Sequence, residues 1–231
     1  MGIVGLLLFL LIETDNPNRI EYDPSYHQGI DRKAPNGMKS AYTSSLVIKA
    51  INEDGGLSTG SANLFRIHNK TFILTAAHVV TNKSVVFAIE RSGDLHITKV
   101  VMVDEERDLA IIVVEENLKY TKAIEYNISF SAKVASNIHY CGHPNSIEFT
   151  CYSGAISGSD GRFFLADMFA WPGSSGSVAF DDDGRVIGVV SALAVAQEFG
   201  QETLLSHVVL AGPTSFYTRK LILEILSDVA K

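Results

Sequence analysis

Three residue types that together can turn a hydroxyl into a nucleophile occur in this chain in the order histidine, aspartate, serine. His78 ends the string Thr-Ala-Ala-His, Asp108 opens Asp-Leu-Ala-Ile, and Ser175 lies within Pro-Gly-Ser-Ser-Gly-Ser. A serine hydroxyl attacks poorly until a neighbouring imidazole takes its proton, and that imidazole needs a carboxylate to fix its tautomer and stabilise its charged form. Gly173, just ahead of the serine, can take up backbone angles closed to residues with a Cβ. The N–H groups of Gly173 and Ser175 are therefore the candidate oxyanion hole, and losing one such donor costs about 3–4 kcal/mol of catalysis. Singly, each string has an ordinary structural reading: a histidine ending a strand, an aspartate in a turn, a Ser/Gly loop. Their joint occurrence in one order, with His78 and Asp108 separated by 30 residues and a longer stretch before Ser175, favours hydrolytic chemistry.

These side chains need a scaffold, and short apolar runs with turn residues between them, the mark of an all-β sandwich or barrel, supply it. Six strands are expected near Tyr42–Ala50, Gly60–Arg66, Thr71–Thr75, Ser84–Ile89, Leu95–Val103 and Leu109–Val114. Six more are expected near Ala132–Cys141, Glu148–Ile156, Arg162–Ala166, Ser177–Phe180, Val186–Ala194 and Ser206–Ala211, with Asp181-Asp182-Asp183-Gly184 as a hairpin turn. The fold class is thus all-β, with two six-stranded antiparallel barrels over about 41–114 and 131–212, a connector over 115–130, and a C-terminal helix over about 214–230. His78 and Asp108 fall in the first barrel and Ser175 in the second, which puts the site in the cleft between them. Thr214 or Ser215 can cap the helix, whose apolar face would be Phe216, Leu221, Ile222, Ile225 and Leu226. Residues 1–40 comprise an apolar N-terminal segment and then, over Glu13–Ser40, a polar, proline-bearing linker or arm.

With these strings in view, the chain resembles the trypsin-like (chymotrypsin-fold) serine proteases, and within them the HtrA-type protease domain. Gly60-Ser61-Ala62 looks like that family's Gly-Ser-Gly, and Lys99 to Ile112 is similar to its strand, acidic turn and Asp-Leu-Ala segment. Gly188-Val189-Val190-Ser191 resembles the substrate-lining strand, and Asp167 to Gly176 follows the pattern of an Asp eight residues before the serine with Pro-Gly just ahead of it. Trp171 and Ser174 stand where the family usually has Asn, and Ser177 replaces the second glycine after the nucleophile; none of these removes a catalytic group. An α/β-hydrolase is a poorer fit, because its elbow needs Gly where Ser177 sits and its triad runs Ser, Asp, His. The resemblance implies a serine endopeptidase acting through an acyl-enzyme, with the helix packed on the second barrel. With the sequence stopping at Lys231, no room is expected after the helix for the PDZ domain that many HtrA-type proteases carry. The alternative is a catalytically idle binding or assembly module.

By the same resemblance, the primary specificity pocket is walled by Phe169 and Ala170, by Ser191, Ala192 and Leu193, and at the back by Val208 to Leu210. None of these carries a charge, so the expected preference is for small or medium apolar side chains, because burying an unpaired substrate charge is costly. Asp167 would instead select Lys or Arg if turned into the pocket, and His207 an acidic side chain. The other histidines, His27, His68, His96, His139 and His143, read as surface or structural, and the acid runs at Asp104–Glu106 and Asp181–Asp183 as solvated turns.

The 231 residues, 46% hydrophobic and 19% charged, suffice for two small β-domains, and the net charge of −7 argues against a nucleic-acid partner. The partner implied is a polypeptide substrate; no metal or cofactor is called for. Cys141 and Cys151 lie on what read as two arms of a hairpin and either face each other in a bond or do not. The apolar run Ile3–Ile12 is shorter than the roughly 20 residues of a membrane-spanning helix. It is compatible with a signal-peptide core, a weak membrane anchor or a packing segment, and export or peripheral anchoring is favoured over a cytoplasmic location.

Overall fold

The computed structural model describes residues 29–129, 132–144, 149–159, 163–198, 201–212 and 217–228; for 195–207 it describes the strands but not their side chains. The first barrel is built from β1 (Ser45–Asn52), β2 (Leu57–Ile67), β3 (Lys70–Thr75), β4 (Lys83–Ile89), β5 (Leu95–Asp104) and β6 (Leu109–Val114). Its strands follow one another around the ring as β1-β4-β5-β6-β3-β2, and antiparallel pairing of β1 with β2 closes it. A two-residue strand, β7 (Ile124–Glu125), pairs parallel with β2. The second barrel closes as β10-β13-β12-β11-β8-β9. Its strands are β8 (Asn137–Gly142), β9 (Thr150–Ser159), β10 (Phe163–Asp167), β11 (Val178–Phe180), β12 (Val186–Glu198) and β13 (Gln201–Ala211).

Both rings are filled by the inward residues of their strands, with Phe65, Phe72, Phe180 and Tyr126 meeting edge-on, stacked or tilted at centroid distances of 5.3 to 6.0 Å. Phe180 belongs to the second barrel and Tyr126 to the connector, so this aromatic cluster ties the two rings at their seam. A second apolar cluster, around Ile138, Tyr140, Ile156, Val208 and Leu210, fills the second barrel alone. Asn63, fully buried on β2, adds a polar suture. Its Oδ1 accepts the Val178 N–H at 2.9 Å, and its Nδ2 donates to Ser44 Oγ at 2.8 Å. Cys141 and Cys151 are directly paired across β8 and β9 and joined by a disulfide.

Four expectations are corrected. The strand expected from Tyr42 is preceded by a helix, α1 (Asn36–Ser44), which buries Gly37, Ala41 and Ser44 at helical spacing and lies against β8 and β11 of the second barrel. The helix ends where Thr43 and Ser44 turn their hydroxyls back onto the carbonyls of Lys39 and Ser40, and the arm expected to run to Ser40 is therefore already helical from Asn36. The strands β12 and β13 run on well past Ala194 and begin well before Ser206, pairing out to Glu198 and Gln201. The C-terminal helix, α3 (Arg219–Asp228), packs on the first barrel, against β5, where the second had been expected. Lys70 Nζ caps it at the Leu226 carbonyl at 3.1 Å, Arg219 pairs with Glu125 at 2.7 Å, and the Tyr217 hydroxyl donates to Asp104 at 2.6 Å. Ile222 and Leu226 are buried, as expected, whereas Leu221 is exposed and Leu223 packs in its place.

The expected caps Thr214 and Ser215, with Phe216, lie outside the described residues, as do His27 and residues 3–12. Among the described residues no helix is long and apolar enough to cross a membrane. The connector is anchored by Glu90, a fully buried carboxylate that accepts the consecutive N–H groups of Lys119, Tyr120 and Thr121 and faces His96 Nε2 at 3.0 Å.

Candidate active site

His78 lies in a single helical turn, α2 (Ala77–Val80), that follows the buried end of β3; Asp108 lies in the turn ahead of β6, which pairs with β3. Adjacent strands therefore bring the two together. The Asp108 carboxylate takes the His78 backbone N–H at 2.9 Å and faces ring Nδ1 at 2.9 and 3.0 Å. From the second barrel, the Ser191 hydroxyl donates to the same carboxylate. Burial by itself would raise the Asp108 pKa; the hydrogen bonds from the His78 ring, Ser191 and the His78 N–H, with the imidazole's charge, outweigh it and hold the group below its ordinary value. An ionised carboxylate only accepts, so the neutral imidazole carries its proton on Nδ1 and leaves the Nε2 lone pair free. Asp108 itself holds a φ of +51°, in the left-handed region that aspartate tolerates better than most side chains.

The loop that carries Ser175, the candidate nucleophile, runs from Trp171 to Ser177 between β10 and β11 as two successive turns, Ser174 N–H to the Trp171 carbonyl at 2.9 Å and Ser177 N–H to the Ser174 carbonyl at 3.0 Å. Gly173 and Gly176 have φ of +101° and +90°. At Gly176 a Cβ would lie 2.1 Å from the Ser61 carbonyl oxygen, so no other residue fits behind the serine. Gly176 N–H donates to Val190 and the Ser175 carbonyl accepts from Ser61 N–H, each at 2.8 Å. Among the described residues the N–H groups of Gly173 and Ser175 have no acceptor, and Ser175 Oγ has no hydrogen bond, including none to His78. That last contact is commonly open in sites without substrate.

A family model described as a trypsin-like peptidase domain matches residues 60–189, more than half of the chain. The chain belongs to the trypsin-like peptidase family. Curated relatives of this peptidase domain include serine protease HTRA1A of Danio rerio, 26% identical over 76% of this chain and 38% of its own length. A serine protease HtrA-like protein of Staphylococcus epidermidis is 27% identical over 83% of this chain and 38% of its own length. The chain thus spans less than two fifths of these relatives. Among solved structures, the HtrA-type protease AlgW with tripeptide superimposes with a TM-score of 0.64 at 22% identity, covering 85% of this chain and 63% of that one. This likeness is one of fold.

The structure distributes the residues expected to wall the trypsin-like peptidase pocket in different ways. Ala170 is buried in the second barrel's core and Leu193 packs against that core. The Phe169 ring is 53% exposed and leans on Tyr152 at 5.0 Å, and Ala192 is at the surface, as is Asp167. Ser191 turns to Asp108, a role its place in an apolar strand gave no sign of. Val208 and Leu210 are buried, and the His207 side chain lies outside the described residues. Ser174, one of the departures from the family pattern, is buried and lies 3.3 Å from both Trp171 N–H and the Tyr140 hydroxyl, which itself donates to the Phe169 carbonyl at 2.8 Å. Ser177 is accommodated because Gly142 opposite it has no side chain; a Cβ there would lie 2.2 Å from Ser177 Oγ. Of the remaining histidines, His139 is buried between Ser153 Oγ at 2.8 Å and Asp182 at 2.6 Å, and His143 is fully buried, its pKa pushed down to about 3 chiefly by burial. Ser153 sits inside the β8–β9 ladder, whereas Ser175 is presented on a loop with two unspent N–H groups.

Proposed function

We propose that this domain is a serine endopeptidase that hydrolyses polypeptides through an acyl-enzyme. Ser175 Oγ attacks the scissile carbonyl carbon while His78 Nε2 takes its proton. The carbonyl oxygen becomes an oxyanion, received by the N–H groups of Gly173 and Ser175. Collapse of the tetrahedral species breaks the C–N bond as His78 returns the proton to the departing amine, leaving an ester on Ser175. Water, deprotonated by His78, hydrolyses that ester and restores the hydroxyl. Asp108 stays ionised throughout, holding the ring and balancing its positive charge.

One observation carries the reading: the Asp108 carboxylate engages Nδ1 of His78, which leaves the opposite ring nitrogen free to accept a proton. For the primary pocket we propose Phe169, Ala170, Ser191, Ala192 and Leu193 as lining and small or medium apolar side chains as the preference. Cleavage after Lys or Arg would implicate Asp167, and after Glu or Asp would implicate His207. An oxidising, non-cytoplasmic compartment is supported by the Cys141–Cys151 bond, and relatives include a protease named as periplasmic and one named as chloroplastic.

The test is labelling by a fluorescent peptidyl phosphonate with an apolar side chain next to the phosphorus. The wild-type protein should take up one label per chain and Ser175→Ala none. Labelling that persists in a folded Ser175→Ala protein, or that is absent from the wild type, overturns the assignment.

A further inference from the structure

Ser61 is fully buried on β2 of the first barrel, yet it touches the nucleophile loop of the second barrel twice. Its N–H donates to the Ser175 carbonyl at 2.8 Å and its hydroxyl to the Gly173 carbonyl at 2.7 Å. We propose that Ser61 is a positioning residue for the oxyanion hole, its hydroxyl and N–H gripping the Gly173 and Ser175 carbonyls so that the two N–H groups of the loop are held in one direction. This inference rests on the endopeptidase reading above.

Peptide units are planar, so fixing the Gly173 and Ser175 oxygens also fixes the Ser174 and Gly176 N–H groups that share their units. Holding the Gly173 and Ser175 oxygens therefore sets the peptide planes on either side of the unit that bears the Ser175 N–H. Gly173 most needs such restraint. Its φ of +101° is available because it lacks a Cβ, and the same freedom lets it leave that conformation at little cost. The direction of the Ser61 hydroxyl is itself dictated. A hydroxyl has one proton, and here the His143 backbone N–H occupies an oxygen lone pair at 3.0 Å, so the proton goes to Gly173. His143 is in turn immobilised, Nδ1 accepting the Phe149 N–H at 2.9 Å. The Ser61 carbonyl is held by Thr75 Oγ1 at 2.7 Å, three residues before His78. One buried serine thus couples the strand leading to the base with the loop bearing the nucleophile.

The experiment compares Ser61→Ala and Ser61→Cys with wild type; the cysteine fills the same space with a much weaker donor, and both leave the Ser61 N–H in place. Readouts are thermal melting, kcat and KM on denatured casein, the rate and stoichiometry of phosphonate labelling, and the Ki of a peptide boronate whose oxygen occupies the oxyanion position. Folded variants should still take one label per chain. Their kcat should fall by about 10- to 100-fold, less than the 10²–10³ lost when a donor is deleted outright. KM should stay near wild type, and boronate Ki should rise by the same factor as kcat falls. A merely structural serine would lower the melting temperature without this parallel loss. Wild-type kcat and boronate affinity in either variant, measured below its melting temperature, overturn the proposal while leaving the Ser175 assignment intact. A wild-type protein that takes no label overturns both.

Discussion

Asp108 shows how much can depend on one carboxylate: it receives a ring nitrogen and a backbone N–H from His78 and a hydroxyl from Ser191, in a backbone conformation that few residues accept. Asparagine has the same shape and tolerates the same φ, so Asp108→Asn should keep the fold, at a lower melting temperature because its amide cannot accept all three hydrogen bonds. Its uncharged side chain neither enforces the Nδ1–H tautomer nor offsets the imidazolium, and kcat should fall by about 10⁴-fold with KM little changed. A loss under tenfold in steady-state assays would remove Asp108 from the mechanism. The candidates His78, Asp108, Ser175 and Gly173 could be singled out because each sits in a short string of telling composition. Ser61, Ser191 and Tyr140 were not legible as partners of the loop or of Asp108. A single hydroxyl inside a strand has no local signature, and its partner lies many residues away in the chain.

At the level of elements, the strands followed from alternation and turn residues, and most boundaries of the first barrel fell within a few residues of expectation. The failures have a common cause in tertiary contact. The run from Tyr42 has the composition of a strand, but β8 and β11 of the second barrel offer a surface to this segment, and a helix reaches it. Nothing in the C-terminal helix tells which barrel it will meet; Tyr217, Arg219 and the acceptor of Lys70 decide that through contacts with β5, β7 and β3. Asn63 is the element-scale analogue of Ser61, one buried amide serving β2, β11 and α1 together. Asn63→Leu keeps the branching of the side chain but strands the Val178 N–H without an acceptor. It should destabilise the domain by about 1–3 kcal/mol, read as a lower urea midpoint at unchanged m-value. An unchanged midpoint would mean that the suture is idle.

For the whole molecule, pH acts through carboxylates that hold separate parts together. Asp104 joins the β5 end to Tyr217, Asp108 joins the first barrel to Ser191, and Asp182 joins the β11–β12 turn to Asn137 and His139. Burial opposes ionisation at Asp104 and Asp108, but hydrogen bonds from Tyr217 and Arg107, and from His78 and Ser191, win; at Asp182 the bond from His139 leads. All three therefore sit below the ordinary 3.8. The unfolded chain binds these protons more readily than the folded one, so the stabilisation is complete above that value and is lost as pH falls through the lower folded values. Chemical denaturation should show a stability plateau down to about pH 4 and a decline below it. A decline that begins near neutrality would point to other groups.

The two described helices that flank the barrels are exchanged. The one that precedes the first barrel lies on the second, and the one that follows the second barrel lies on the first. Each half of the molecule thus grips the other with an arm of its own chain, like a pair of linked hooks. Scission of the exposed connector between Asn117 and Leu118 should therefore leave a complex that co-migrates on size exclusion under native conditions and separates only in denaturant. The two pieces, produced as independent polypeptides, should find each other and rebuild a site whose base and nucleophile come from different chains. Pieces that emerge as separate folded halves would show that the arms do not hold.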